Sequence, residues 1–495
     1  MSNKAIIRQL GQVIVVIGLT MLVPLAIALA DTEEDVTAFA VSLPITVICG
    51  LVMMAFAPRS TGTMDIHDGY LLVTLIWLFA SVFGSLPLIF SGEMPGIVDA
   101  FFETLSGFTA TGITVIDDIE AMPKSFLLWR SMMQWLGGLG IIVLLVAIFS
   151  NMGAGSMQLA RAEITGPVKE KLRPRFSDSA KSLLIIYVIL TALDILALWL
   201  CGMDIFDAVN HGLTTISTGG YSTKNASLGA FEQTSIQWVT IVFMFLSGTS
   251  FALLYRFTTT RNLRVFVSSG EWRFYVEIIL VFSAIISASL FLSKGYTLPD
   301  AVRTGLFSVV SLITTTGYIV ADFDDWTPLV QLLMLFMIFA GGCAGSTSGG
   351  VKLERIVIML RQSKNELMYI LHPRMVTTLK INGHVIANRT IINVSFYLLL
   401  FIFIVLMATF AATACGLPLL EAFTTSLTCL GNGGPSLGMY GPTESLSALP
   451  MPLKLIDCAL MLAGRLELYT VLVIVLPMGY KRHETMHTNR YTLHK

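Results

Sequence analysis

The chain has 495 residues, 55% of them hydrophobic and 13% charged, with a formal net charge of −1 and a mean hydropathy of +0.76. Soluble domains carry roughly 25% charged residues, so the composition excludes a soluble globular protein and points to a chain folded in lipid. The net charge is uninformative, because the two signs are sorted into different loops and cancel in the sum.

Apolar stretches near the ~20 residues needed to cross a bilayer fall at 5–30, 36–57, 69–91, 126–150, 182–202, 235–257, 274–293, 327–360, 391–415 and 452–478. Shorter apolar stretches at 97–108, 205–216, 299–313 and 418–429 cannot span and read as re-entrant helices. After residue 68 the order is long, short, long, four times over, with two extra spans in front. The organisation expected is therefore 1–68 for the two leading spans, then repeats at 69–150, 151–270, 271–389 and 390–478, and a tail at 479–495. Ala28-Leu29-Ala30 before Asp31 resembles a signal-peptidase site. The apolar run ahead of it exceeds the usual core of roughly 7–15 residues, so a retained span is expected.

Lys4 and Arg8 precede the first span, and 151–181, 256–273 and 352–389 are rich in Lys and Arg, whereas Asp31, Glu33, Glu34, Asp35, Asp117, Asp118, Glu120, Asp322, Asp324 and Asp325 mark the alternate connections. The positive-inside rule then places both termini in the cytoplasm and makes all four short segments dip in from outside. The six cysteines (Cys49, Cys201, Cys343, Cys415, Cys429, Cys458) form no CxxC pair, which argues against a disulfide framework or zinc site. Gly137-Gly138-Leu139-Gly140 lies inside an apolar stretch and reads as a helix-packing surface rather than a nucleotide fingerprint. No nucleic-acid partner and no organic cofactor are expected.

The short segments share a pattern. Asp99-Ala-Phe leads to Thr111-Gly112-Ile113, and Asp207-Ala-Val leads to Gly219-Gly220-Tyr221. Asp300-Ala-Val leads to Thr316-Gly317-Tyr318, and Glu421-Ala-Phe leads to Gly433-Gly434-Pro435. The second glycine-segment residue stands 13 positions after the acid in copies one, two and four and 17 after it in copy three, about one helical turn more. Four such elements imply a ring around one axis, and in membranes such rings serve as ion-selectivity filters built from carbonyl oxygens. Glycine lets successive carbonyls point one way. Thr109, Thr111, Thr114, Ser217, Thr218, Ser222, Thr223, Thr314, Thr315 and Thr316 add hydroxyls. Each short helix would aim its partially negative C-terminal end at mid-membrane, which favours a cation, with its acid in the first turn. A cation is accordingly expected at Thr111, Gly112, Gly219, Gly220, Thr316, Gly317, Gly433 and Gly434, and the family resemblance given below implies potassium there.

Further on, Gly341-Gly-Cys-Ala-Gly345-Ser346-Thr347-Ser348-Gly349-Gly350 places five glycines in ten residues of the eighth span, too many for a helix. Irregular backbone at membrane depth is tolerated beside protein or a water-filled cavity, so the segment is expected to line the pore. Arg465 lies mid-span in Gly464-Arg465-Leu466-Glu467. A central arginine costs at least ~2.5 kcal/mol, so it should face a cavity, or else pair with Asp457, Glu467 or another acid. Asp194 and Glu277 read as packing or pairing residues.

The runs Thr109–Thr114, Ser217–Thr223 and Thr314–Tyr318 resemble the Trk/Ktr/HKT superfamily of potassium transporters, and Gly341–Lys352 with Gly464–Glu467 resemble its bacterial TrkH/TrkG branch. The likeness covers essentially the whole chain. It implies an all-α polytopic fold of about ten spans, two leading helices and four M1–P–M2 (potassium-channel-like) repeats around one pore. It also implies a homodimer in a bacterial inner membrane and a cytosolic nucleotide-binding (TrkA-like) subunit. The segment Gly345–Gly349 would be an intramembrane gate and Arg465 would reach into the pathway beneath the filter. Lys352, Arg355, Arg361 and Lys364 are placed to couple the partner to the gate. Ser436 departs from the family's usual glycine, and the tail bears histidines that the resemblance does not explain. Potassium-selective uptake is the function expected. A sodium-coupled or sodium-permeable cation transporter on the same scaffold is the alternative, and Gly112 favours potassium because serine there accompanies sodium transport in the plant branch. A transporter with inverted repeats fits less well, since the four copies run the same way. A membrane enzyme fits least, since no catalytic constellation gathers at one depth.

Overall fold

The computed structural model describes residues 2–470 apart from 33–34, 58–65, 95, 139, 141–175, 375–377, 382–383, 442 and 469. The histidine-bearing tail and most of the first basic connection therefore lie outside the described residues. The first span, Lys4–Ala30, is bent slightly at Met21, where the helices Ser2–Thr20 and Leu22–Ala30 meet ahead of Pro24. It packs on the helix Val36–Phe56 through Gly11 and Gly50, each of whose added Cβ would lie 2.7 Å from the other's carbonyl oxygen. Small residues let two helices approach to this distance where lipid offers no hydrophobic drive.

Each repeat then begins with a long outer helix: Ile66–Gly84 continued by Leu86–Ser91, Phe176–Leu200, Gly270–Ser293 and Asn388–Ala414. Their leucines and isoleucines are exposed along one side, for example Leu193 and Leu280, as a lipid-facing surface requires. The short helices follow at Ile97–Phe108, Ile205–Ile216, Leu298–Ile313 and Leu419–Gly431. Asp99, Asp207, Asp300 and Glu421 each occupy the third helical position. There a negative charge complements the helix dipole. The third helix has 16 residues against 12, 12 and 13, so the extra turn read from the sequence is helical.

Among the described residues the inner helices are short, and the expected stretches 126–150 and 452–478 continue beyond those residues. Lys124–Gly138, Thr234–Ser247, Pro328–Ala340 and Met451–Arg465 have only 15, 14, 13 and 15 residues. At 1.5 Å per residue none reaches the ~30 Å hydrocarbon thickness. The stretch 235–257, expected as one span, bends by 96° between Ser247 and Phe251. The stretch 327–360 is broken as predicted, the helix resuming at Leu353–Leu371. Among the described residues six helices are long and apolar enough to cross a membrane, and the bent pair would make a seventh. The expected ten also require the other three inner helices, two of which run into residues not described. One small β pairing, Lys380–Ile381 with His384–Val385, interrupts the otherwise helical described chain. All six cysteines are free. Gly137 does pack as the sequence implies, since a Cβ there would fall 1.7 Å from the Phe108 oxygen.

Candidate functional site

All four short helices end in the same way. The residues after their last turn, Ala110, Thr218, Thr315 and Asn432, take left-handed φ of 53°, 54°, 55° and 50°. The next residue donates its N–H five positions back: Thr111 to Ser106 O (3.0 Å), Gly219 to Thr214 O (2.9 Å), Thr316 to Ser311 O (2.9 Å) and Gly433 to Thr428 O (3.0 Å). This is the Schellman termination, which usually uses glycine. The following glycines, Gly112, Gly220, Gly317 and Gly434, have φ of 83°, 76°, 80° and 84°. These values favour glycine, and the four strands consequently share one backbone course.

The strands close into a ring. A Cβ on Gly112 would meet Gly219 O at 2.1 Å, and one on Gly220 would meet Thr316 O at 1.8 Å. One on Gly317 would lie 3.1 Å from Gly433 O, and one on Gly434 would lie 3.3 Å from Thr111 O. Each glycine therefore abuts the carbonyl that precedes its counterpart in the next copy, and the fourth returns to the first. The residues expected to hold a cation are brought together as main chain. Tyr221 and Tyr318 point away and brace the neighbouring copy. Tyr221 donates to Glu103 O (2.9 Å) and Ile113 O (3.2 Å), and Tyr318 to His211 O (3.0 Å). Thr428 donates to Pro435 O (2.9 Å), as Ser106 does to Ile113 O and Ser311 to Tyr318 O. The copy-four to copy-one seam is closed by Asn432 Nδ2 on Thr111 Oγ1 (2.9 Å) and by the ion pair of Lys454 with Asp99 (2.6 Å).

Above the ring lies a cavity of about 100 Å³ lined by all four glycines and by Asp117. Hydroxyls of Ser445 and Ser447 hold the Asp117 carboxyl below the ordinary carboxylate range, and the Asn225 amide does so for Asp118, which keeps this rim anionic. Below the ring a second cavity of about 140 Å³ is lined by 345–350, Lys352, Asn432 and Arg465. The glycine-rich loop hangs from three copies. Thr347 donates to Ile216 O (3.1 Å), Gly349 N to Thr315 Oγ1 (2.6 Å) and Gly350 N to Gly431 O (2.7 Å). It also meets the bend in the second repeat, through Cys343 N to Gly248 O and Phe251 N to Gly345 O, both 3.0 Å. Ser346 and Ser348 hydroxyls pair with each other at 2.6 Å.

Arg465 reaches across this cavity to the Thr347 carbonyl (3.1 Å) and to the Gly137 and Gly138 carbonyls (2.7 Å for the latter). Glu467, considered above as its acid, accepts from Arg355 at 2.7 Å. Lys352 and Arg355 correct a second expectation. Both are buried, Lys352 on Ser348 and Arg355 over the Tyr397 ring at 3.9 Å, so neither offers a surface to a partner. Asp194 is fully buried on the outer helix Phe176–Leu200, consistent with the packing role expected of it. Ser436 donates to Tyr440 O and is accommodated without distortion of the fourth strand.

Sequence reasoning missed the buried pair Arg130–Glu103 (2.8 Å), to which Val115 N and Thr114 Oγ1 also donate. Its signal was available. A glutamate on a short apolar helix and an arginine within a span are each costly unless matched.

The profile of the TrkH family, described as a cation transport protein, matches residues 38–479. The "Trk system potassium uptake protein TrkH" of Halomonas elongata is 38% identical, covering 97% of this chain and all of the relative. That of Escherichia coli K12 is 35% identical over the same shares, and E. coli TrkG is 31% identical over 95% and 97%. The crystal structure of the potassium transporter TrkH from Vibrio parahaemolyticus superposes with a TM-score of 0.87 at 33% identity, covering 96% of this chain and 99% of that one.

Proposed function

The chain belongs to the TrkH family of cation transport proteins, and on that premise we propose that it takes up potassium through the ring of glycine strands in the inner membrane of a bacterium. The observation that carries this reading is the closed order of contacts, Gly112 to Gly219 O, Gly220 to Thr316 O, Gly317 to Gly433 O and Gly434 to Thr111 O. A dehydrated cation needs several oxygens at once, and neutral carbonyls supply them without trapping it. The partially negative ends of four short helices adjoin the ring and favour positive charge there. The loop 345–349 and Arg465 form the gate in this reading. The loop lies across the inner cavity, and the fixed charge opposes cation occupancy below the ring. The four glycine segments coordinate the ion, the protein works as a homodimer with a pore in each subunit, and a cytosolic nucleotide-binding subunit moves the loop. With Lys352 and Arg355 buried, that subunit would act on the later part of Leu353–Leu371, where Lys364 is exposed.

The test is flux of potassium and sodium into liposomes holding the purified chain, with and without an imposed proton gradient. Preference for potassium in the wild type, lowered by Gly112→Ser, supports the ring as the selective element. An unchanged ratio for serine at all four glycines would remove it.

A further inference from the structure

The ring's four parts are not equal. Gly219 and Gly433 each make room for a side chain of the preceding repeat's inner helix. An added Cβ would meet Gln134 Cδ at 2.3 Å in one case and Ile338 Cγ2 at 2.6 Å in the other. Copies one and three carry Thr111 and Thr316 there, whose hydroxyls bond Thr109 and Thr314 at 2.7 and 2.8 Å. Of the two invading side chains only Gln134 is polar, and it is fully buried. Its Nε2 donates to the Gly219 carbonyl at 2.7 Å, and its Oε1 accepts from Tyr221 N at 3.0 Å. One turn earlier on the same helix, Arg130 donates to Thr114 Oγ1 (3.3 Å) and stacks over Tyr221 at 4.1 Å. The corresponding carbonyls of Thr111, Thr316 and Gly433 accept no hydrogen bond among the described residues.

We propose that Gln134 is a positioning residue that sets potassium-over-sodium preference by holding one of the four ring carbonyls. The inference rests on the reading of the ring as the ion-binding element. A carbonyl that accepts an amide N–H is oriented by the protein rather than by the ion, and shares part of its negative charge with that donor. Sodium, the smaller ion, needs short, strong ligands to offset its dehydration. A ring with one restrained, weakened oxygen is less able to contract around it, whether cavity size or ligand field governs selection. The amide does this without adding a net charge next to the pathway. Because Gln134 grips both Gly219 and Tyr221, it also fixes the peptide orientation when no ion is present.

The experiment uses the full chain, purified and reconstituted, with thermal stability measured beside the potassium-to-sodium flux ratio. Gln134→Met removes donor and acceptor at nearly constant volume. Gln134→Leu removes donor and acceptor with a branched apolar side chain, again without adding charge. Both variants are expected to lower the ratio roughly three- to tenfold, about the worth of one hydrogen bond, while folded protein is retained. Gly112→Ser is run in parallel. If it lowers the ratio while both Gln134 variants leave it unchanged, the role given to Gln134 falls and the ring stands. If Gly112→Ser also changes nothing, the ring reading falls and takes this one with it. Loss of folded protein in both Gln134 variants would mark a purely structural brace and overturn the proposal.

Discussion

The ring and the floor beneath it are built on opposite plans. The ring applies one local rule four times: a left-handed residue, an N–H donated five positions back, then a glycine of positive φ. The floor is made from features that single copies possess. The third copy supplies the glycine-rich loop, the fourth supplies Arg465, and the second supplies the bend that receives Cys343 N. Repetition gives the ring a common backbone course around one axis, which is what the proposed ion path requires. Inequality beneath gives the floor parts that, in the proposed reading, could be moved by acting on one helix.

That contrast is open to attack at both ends. The largest effect is expected in the ring. Gly220→Ala puts a methyl 1.8 Å from Thr316 O, and Gly112→Ala puts one 2.1 Å from Gly219 O. The left-handed backbone adds about 1–2 kcal/mol of strain. Both should abolish selective uptake, whereas Gly317→Ala and Gly434→Ala, with nearest atoms at 3.0 and 3.2 Å, should retain more of it. Equal losses at all four positions in a liposome flux assay would show that the local packing differences have no bearing. Next comes Arg465→Ala. Removing a unit charge a few ångströms from the pathway is worth about 2–4 kcal/mol at an effective dielectric of 20, so potassium flux should rise by at least about tenfold. A drop in thermal stability with no gain in flux would return Arg465 to a structural role.

A smaller, several-fold rise is expected from deleting Ala344–Ser348, which removes the Thr347 bonds to Ile216 and Arg465. The potassium-to-sodium ratio should stay as it was, because the ring keeps its own hydrogen bonds. A shifted ratio would mean that the floor and the ring are one device. The smallest effect belongs to the rim. Asp117→Asn should slow uptake less than about threefold at low ionic strength, and not measurably at 0.15 M salt, where screening acts over roughly 8 Å. Because its hydroxyl partners hold the Asp117 carboxyl low, the wild-type rim should keep its charge as pH falls through the ordinary carboxylate range. A slowing of uptake that tracks that range would contradict it.

The repeat was legible because Gly112, Gly220, Gly317 and Gly434 combine a φ of 76–84° with close backbone of the next copy, a combination that glycine takes most cheaply. The acid that precedes each lies in the first turn of its short helix. The left-handed residue two positions earlier was not legible, since Ala110, Thr218, Thr315 and Asn432 have no common chemistry; the structure imposes that conformation through the N–H bond that follows. The bend at 248–250 was missed because one glycine in an apolar stretch is an ordinary helix-packing residue in a membrane. Lys352 and Arg355 read as surface charges because their partners, Ser348 O and Glu467, become neighbours only when the loop folds back. Glu103 and Arg130 are 27 residues apart and meet for the same reason.

Lys454 finds Asp99 across 355 residues of chain. A ribosome working at 5–20 residues per second needs roughly 20–70 s to cover that distance. For that interval the first short helix has been made and its partner has not. Leu446 N, which bonds Thr114 O at 2.9 Å, and Asn432, which bonds Thr111, arrive equally late. A chain that ends before the fourth repeat has only three of the four strands and an open side where Asn432, Leu446 and Lys454 would close on the first copy. The ring is therefore a late product of synthesis, complete only once the fourth short helix and its strand have followed the other three.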